Sequence, residues 1–156
     1  MVETALIIPI FLSLLLGIGS SSVAYGHSSS INNASREAAR YGATLSVEGD
    51  LAGWLTDVAA VAEAAATGDV DTTRPSHTVC IAYVYPDGVD TNDRTLSVNV
   101  DSLGPIQTTA PCFADGRPNS ERRVQVVIQR DASIEAAFFS SDFTIDAEAA
   151  ARFERG

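Results

Sequence analysis

The sequence predicts an α+β protein: a long N-terminal helix, transmembrane and then amphipathic, followed by a small head with one helix packed on an antiparallel sheet of about four strands. Three observations predict it. Residues 4–25, "TALIIPIFLSLLLGIGSSSVAY", carry no charge. Two later stretches, 27–45 and 50–68, repeat apolar residues at spacings of three and four, the period of a helix. Beyond His77 the period falls to two in several short runs rich in β-branched residues, the signature of strands. The boundaries that follow are 1–25 for the transmembrane part, 26–45 for the amphipathic extension of the same helix, and 46–156 for an acidic extracytoplasmic head.

The uncharged stretch is long enough to cross a hydrocarbon core of ~30 Å as a helix. A secretory signal would place basic residues before its apolar run and a small-residue cleavage site after it; here the preceding charge is Glu3 and no clear cleavage site follows. Pro9 lies inside the run and should kink or loosen the helix near Ala5 and Leu6, because it lacks an N–H and its ring crowds the preceding turn. Gly17, Gly19 and Ser20 to Ser22 are small enough for close helix packing in a membrane and equally suited to neutral lipid-facing positions. After Tyr25 the segment "HSSSINNASREAARYG" places Ile31, Ala34, Ala38, Tyr41 and Leu45 on one stripe. Glu37 and Arg36 each fall within a turn of Arg40, and Gly42 is a natural place for the helix to loosen or end.

The head begins with "DLAGWLTDVAAVAEAAATG". Asp50 is a plausible N-cap, Leu51, Trp54, Leu55, Val58, Ala62 and Ala65 form a stripe, and Gly68 follows the end. "HTVCIAYVY" from His77 reads as a strand. "RTLSVNV" from Arg94, after the turn-rich "PDGVDTND", reads as a second strand folded back on the first. "RRVQVVIQR" alternates Val124, Val126 and Ile128. In "DFTIDAEAAARFE" the alanines favour a helix, but Phe143, Ile145, Ala147, Ala149, Ala151 and Phe153 alternate strictly, so it is assigned as a strand. "TGDVDTTRPS" and "DSLGPIQTTAPCFADGRPNSE" hold the Gly, Pro and Asp of loops.

Charge and cysteine content narrow the functions. Of 20 acidic and 10 basic residues, all the basic ones Arg, residues 46–156 hold 18 acidic against 8 Arg. Such a head repels nucleic acid and anionic lipid surfaces, so no nucleic-acid partner is expected. Cys80 and Cys112 lie in the head, beyond a segment that would carry it across a membrane, and in an oxidising compartment they read as one disulfide. That bond would close a loop of about 33 residues and stabilise the head by roughly 3 to 4 kcal/mol on the chain-entropy model. No hydrolase, phosphate-loop or zinc-protease motif occurs. Cys80, Cys112, His77 and His27 number four potential zinc ligands, but residues three apart on a strand point to opposite faces. Asp87, Asp90, Asn92 and Asp93 lack the spacing of a calcium loop. Neither a cofactor, a metal nor an enzymatic activity is expected.

The opening "VETALIIPIFLSLLLGIG", followed by a polar stretch and "ASREAARYGAT", resembles the TadE-like proteins, pilin-like components of tight adherence (Tad/Flp) pilus systems. The matching positions are Val2, Glu3, Ala5, Leu6, Pro9, Arg36, Glu37, Ala39, Arg40 and Tyr41, with Thr4 in the usual aromatic place and Ala38 in the usual glycine place; "FTIDAEAAARFE" looks like the family's closing strand. The resemblance implies a role for Glu3. In pilin-like proteins a prepilin peptidase removes a short basic leader, and a glutamate near the new N-terminus pairs with the terminal amine of a neighbouring subunit. A buried carboxylate is costly unless so paired. Two features depart from the pattern: the family's glutamate lies at about the fifth mature position, and Arg36 and Arg40, the first basic residues, follow the membrane segment, which by the positive-inside rule favours a cytoplasmic head. A basic leader ending in Gly, plus two residues, would repair both, so Met1 is expected to be internal or the chain trimmed.

The sequence therefore predicts a single-pass, membrane-anchored subunit of pilus assembly or structure, with a place in the pilus itself left open beside one in the membrane. Its implied partners are other pilin-like subunits, inner-membrane assembly proteins, the prepilin peptidase and lipid. The reading from another class is an exported, membrane-anchored binding or sensing domain unrelated to pili.

Overall fold

A helix of 43 residues, α1 (Val2–Thr44), forms the spine of the molecule, about 65 Å long at 1.5 Å per residue. The computed structural model describes residues 2–47, 50–66, 77–84, 95–99, 104–108, 111–117, 121–136 and 139–153. In the first half of α1 the side chains from Ile7 to Tyr25 are largely exposed, among them Ile10, Phe11, Leu14 and Ile18. In the second half Ile31, Ala34, Ser35, Ala38, Ala39 and Ala43 are buried, a stripe at spacings of three and four that faces the head. The helix thus changes environment along its length without a break.

α2 (Leu51–Ala65) runs antiparallel to α1 and is tied to it at both ends. Asp50 caps its N-terminus, its carboxylate accepting from the Gly53 N–H at 2.8 Å, which satisfies one of the orphan donors of the first turn. Trp54 Nε1–H donates to the Gly42 carbonyl at 3.2 Å, and at the other end Ser30 Oγ donates to the Ala66 carbonyl at 3.2 Å. Trp54, Leu55, Val58 and Ala62 are buried, as the stripe predicts.

Five strands follow: β1 (His77–Val84), β2 (Thr95–Asn99), β3 (Gly104–Thr108), β4 (Arg123–Ala136) and β5 (Phe139–Arg152). They form one antiparallel sheet in the order β3-β2-β1-β4-β5. The expected α+β class and the return of the second strand onto the first are both found. The fifth strand is β3, which falls inside a segment expected to be a loop. Pro105 cannot donate a ladder hydrogen bond, and an edge position is where a strand tolerates that. The chain from 142, ambiguous between helix and strand, is strand: Ile145 and Ala147 are buried beside Val124, Val126 and Ile128 while Asp146 and Glu148 are exposed.

α1 and α2 cover one face of the sheet. Between them and the strands lies the core, with Leu55, Val58, Val79, Ile81, Val126 and Ile128 at its centre. At its distal end Trp54, Tyr83 and Phe153 meet, with ring centroids 5.4 Å apart for Trp54–Tyr83 and 4.8 Å for Tyr83–Phe153, both edge-on, the favoured aromatic geometry. The other face is covered only in part. Segment 111–117 lies over it, joined to β1 by the Cys80–Cys112 disulfide with a Cα–Cα distance of 5.9 Å. Buried Gln125 binds the backbone of this segment, its Nε2–H donating to the Phe113 carbonyl at 3.0 Å.

Two expectations are corrected. Tyr41 lies on the exposed side of α1, and the buried positions one and two residues on are Gly42 and Ala43. Gly42 neither loosens nor ends the helix. It lets α1 approach the head: a Cβ there would stand 3.0 Å from Trp54 Cζ2, 3.0 Å from Val58 Cγ2 and 3.3 Å from Val124 Cγ1. The Trp54 hydrogen bond to its carbonyl needs the same approach. Leu45, the last residue of the expected stripe, is partly buried against the core just past the helix end.

Gly42→Leu should therefore destabilise the head by about 1–3 kcal/mol or more through overpacking. Gly26→Ala, where a Cβ meets nothing within 4 Å, should be neutral or gain up to ~1 kcal/mol of helix propensity. Denaturant unfolding in detergent, followed by Trp54 fluorescence, measures both.

Candidate assembly surface and anchor

Glu3 lies in the first turn of α1, and its side chain is outside the described residues. Pro9 is inside the same helix, which runs on past it to Thr44, although its ring leaves the Ala5 carbonyl without the usual N–H donor. The polar side chains of this part are satisfied locally: Ser13 Oγ donates to the Ile10 carbonyl at 2.9 Å and Ser21 Oγ to the Gly17 carbonyl at 2.8 Å, back-bonding that hides hydroxyls in an apolar setting. An 18-residue window of α1 reaches a mean hydropathy of 2.0 with none of it buried. By length and composition the helix suits a single-pass anchor.

Gly17 and Gly19 have open space where a Cβ would be, so none of the described residues packs on them closely. Gly19 lines a cleft of about 690 Å³ between α1 and the start of the β4–β5 overhang. Leu15, Leu16, Ser20 and Val23 form one wall of this cleft, and Arg130 to Ser133 form the other. At its upper end Arg130 Nη1–H donates to His27 Nδ1 at 3.2 Å, the guanidinium having only donors. β4 and β5 overhang here because β1 ends at His77, opposite Arg130, while the pairing of β4 with β5 continues to Ala136 and Phe139.

Arg36, Glu37, Arg40 and Tyr41 are all exposed on α1, opposite the stripe that enters the core. The structure thus brings these four together on one outward face and sets Cys80 and Cys112 apart, on the far side of the sheet. The zinc quartet does not assemble: both cysteines are in the disulfide, and His27, on α1, accepts from Arg130 of β4. Among the described residues no group of three or more His, Cys, Asp or Glu is placed to hold a metal. Asp87, Asp90, Asn92 and Asp93 lie outside the described residues.

Two ion pairs that sequence reasoning missed fix the covered side of the sheet. Arg123 Nε lies 2.6 Å from Asp115 Oδ2, and its Nη2–H donates to Oδ1 at 2.8 Å. Burial by itself would raise the Asp115 pKa, but hydrogen bonds from the Arg117 N–H, Gln125 and Arg123, with the charge of Arg123, hold it below its ordinary value of 3.8. At the open end of β5, Arg152 forks onto Glu121, with Nε–H donating to Oε2 at 2.8 Å and Nη2 to Oε1. Hydrogen bonding from Arg152 lowers the Glu121 pKa, and the same contact raises that of Arg152. Only nonlocal partners, 8 and 31 residues apart, could have signalled either pair.

The family model described as TadE-like protein matches residues 1–40. Over these residues the chain is similar to TadE-like proteins. The TadE-like stretch takes in the whole exposed apolar part of α1 and the first turns that pack on the head, ending at Arg40. No curated protein and no solved structure matches the chain.

Two outcomes are expected. Non-reducing peptide mapping of protein extracted from membranes should recover Cys80 and Cys112 in one linked peptide pair, and replacing both by Ala should cost about 2–4 kcal/mol. Because the Asp115 pKa is depressed in the folded state, its stabilisation is complete above the ordinary carboxyl value and is lost as pH falls through the folded one. A melting-temperature series from pH 6 to pH 2 should show this acid limb flattened in Asp115→Asn, with a lower melting temperature at neutral pH.

Proposed function

We propose that the chain is a membrane-anchored, pilin-like subunit acting in the assembly or structure of a tight adherence pilus, a structural rather than a catalytic component. The observation that carries this reading is the continuity of α1. One helix supplies the exposed apolar segment and part of the head's core, and the TadE-like match lies on that helix. A subunit built this way can leave lipid and pack its anchor among the anchors of its neighbours without refolding its head, since the exposed half of α1 makes few contacts that the head needs.

The head is proposed to be extracytoplasmic. The Cys80–Cys112 disulfide supports this side, because such bonds persist in oxidising compartments. Partners on this reading are other pilin-like subunits and inner-membrane assembly proteins, with a prepilin peptidase acting on any leader. Glu3 is proposed as the assembly contact, as the resemblance implies, with Gly17 and Gly19 as places where a neighbouring helix can approach closely. The alternative, an exported binding or sensing domain, would need a ligand site in the head; the cleft of about 690 Å³ lies beside the apolar part of α1.

Glu3 variants test the reading. If Glu3 only marks the end of an anchor, Glu3→Ala should be neutral or slightly favour insertion, because a charge has been removed from the membrane end. If it pairs with a neighbour's amine, Glu3→Ala and Glu3→Gln should leave insertion and head folding intact. Recovery with pilus components from detergent extracts should then fall by about tenfold or more, since the amine is left unpaired in a low-dielectric setting. Unchanged recovery for both variants at equal expression refutes the contact.

A further inference from the structure

The outward face of α1 carries two arginines and one carboxylate, Glu37, whereas the charged residues described on the bare part of the sheet are all carboxylates. On α1, Arg36 and Arg40 stand one turn apart and exposed, and among the described residues neither makes an ion pair or a side-chain hydrogen bond. Beyond the cover of segment 111–117, the open face of β4 and β5 displays Asp131, Asp142, Asp146 and Glu148, all exposed. Asp131 accepts from Thr144 at 2.9 Å. No cation among the described residues shares this area: Arg130 is turned to the helix side against His27, and Arg123 and Arg152 are held by Asp115 and Glu121 farther along the strands.

The spacings agree as well as the signs. Residues four apart on a helix are ~6 Å apart along its axis, and residues two apart on a strand, on one face, are ~6.6 Å apart. Arg36 and Arg40 can therefore stand opposite Asp146 and Glu148 as two parallel pairs, with guanidinium forks suited to carboxylates. α1 covers one face of the sheet and the carboxylates occupy the other, so a subunit cannot close these pairs on itself. Nor can a two-fold dimer join them through a single self-complementary patch.

We propose that the outward face of α1, through Arg36 and Arg40, docks on the bare β4–β5 face of a second copy of this chain, through Asp146 and Glu148. Each such contact leaves one basic and one acidic face free. The contact is heterologous, so it extends as a row of subunits or, if its rotation closes, as a ring. Its electrostatic part is screened by salt. The proposal goes beyond the pilus reading and does not need it, since it requires no other protein and leaves Glu3 unused.

The test uses the purified full chain in detergent micelles, mixing isotopically heavy and light copies, with a photoreactive amino acid replacing the exposed Asn33 one turn from Arg36. Irradiation should give heavy–light adducts between α1 and peptides of the β4–β5 outer face. Arg36→Glu with Arg40→Glu in the crosslinking copy should cut their yield at least about tenfold, the scale of close interfacial charge pairs. Asp146→Arg with Glu148→Arg in the other copy should restore it, and the restoration also shows that both reversed chains are folded. Arg36→Gln with Arg40→Gln should reduce the yield less than the reversal. Adducts confined to the α1 of the other copy, absence of heavy–light adducts, or a yield indifferent to charge reversal would overturn the proposal. Failure of the paired reversal to restore the adducts would do the same. Loss of pilus-component recovery in Glu3 variants with these adducts unchanged would separate the two assembly contacts.

Discussion

The close seat of α1 on the head is the contact on which the rest of the structure depends. Four alanines and Gly42 on its inner face let the backbone of α1 come within reach of Trp54, Val58 and Val124. Bulkier side chains would hold the helix off and open the core. That seat places Ser30 under the last carbonyls of α2 and the Gly42 carbonyl beside the Trp54 indole, so α2 is positioned at both ends by the helix that also carries the anchor. With both helices in place, the inner sides of β1, β4 and β5 have a surface to bury against. The buried side chains are small along α1 and large along α2 and the strands, the alternation that fills a core without voids.

The second face of the sheet solves a different problem. A single helical layer leaves the outer side of β1 and β4 exposed, yet Ala82, Val84 and Val127 there are buried. Segment 111–117 supplies the cover, with Cys112 and Phe113 partly buried, and it is held down by more than apolar contact. The disulfide, the Gln125 contacts with Phe113 and the Arg123–Asp115 pair fasten it. Where this cover stops, the face becomes polar and acidic. The division between covered and bare sheet therefore sets both the stable end of the head and the surface left for other molecules.

Much of this was legible in the sequence, for local reasons. The uncharged run, the stripe of α2 with Asp50 before it, and the alternation around Val124–Ile128 and Ile145–Ala149 each express a period that one element must satisfy. The disulfide followed from there being two cysteines in a chain with an anchor. What was not legible depended on partners far away. Tyr41 is the more apolar residue, but the phase of α1 is set by Trp54, which needs a glycine opposite it. β3 is hidden by Gly104 and Pro105 and exists because β2 offers an edge. The overhang of β4 and β5 past Arg130 falls in residues 131–141, to which the sequence pattern assigned no element, because β1 is not there to show where pairing ends. At the candidate surface, Arg36 and Arg40 were visible as residues, whereas their shared outward direction required the helix to be seen against the head.

The absence of any joint between the two halves of α1 has a mechanical consequence. The stripe from Ile31 to Ala43 lies parallel to the helix axis, so a pull on the head directed away from the anchor loads all of these contacts together in shear. A peeling load would break them one at a time and at far lower force. The molecule is built as a rod with its head clamped along the last third of the shaft, and a displacement of either end reaches the other at once.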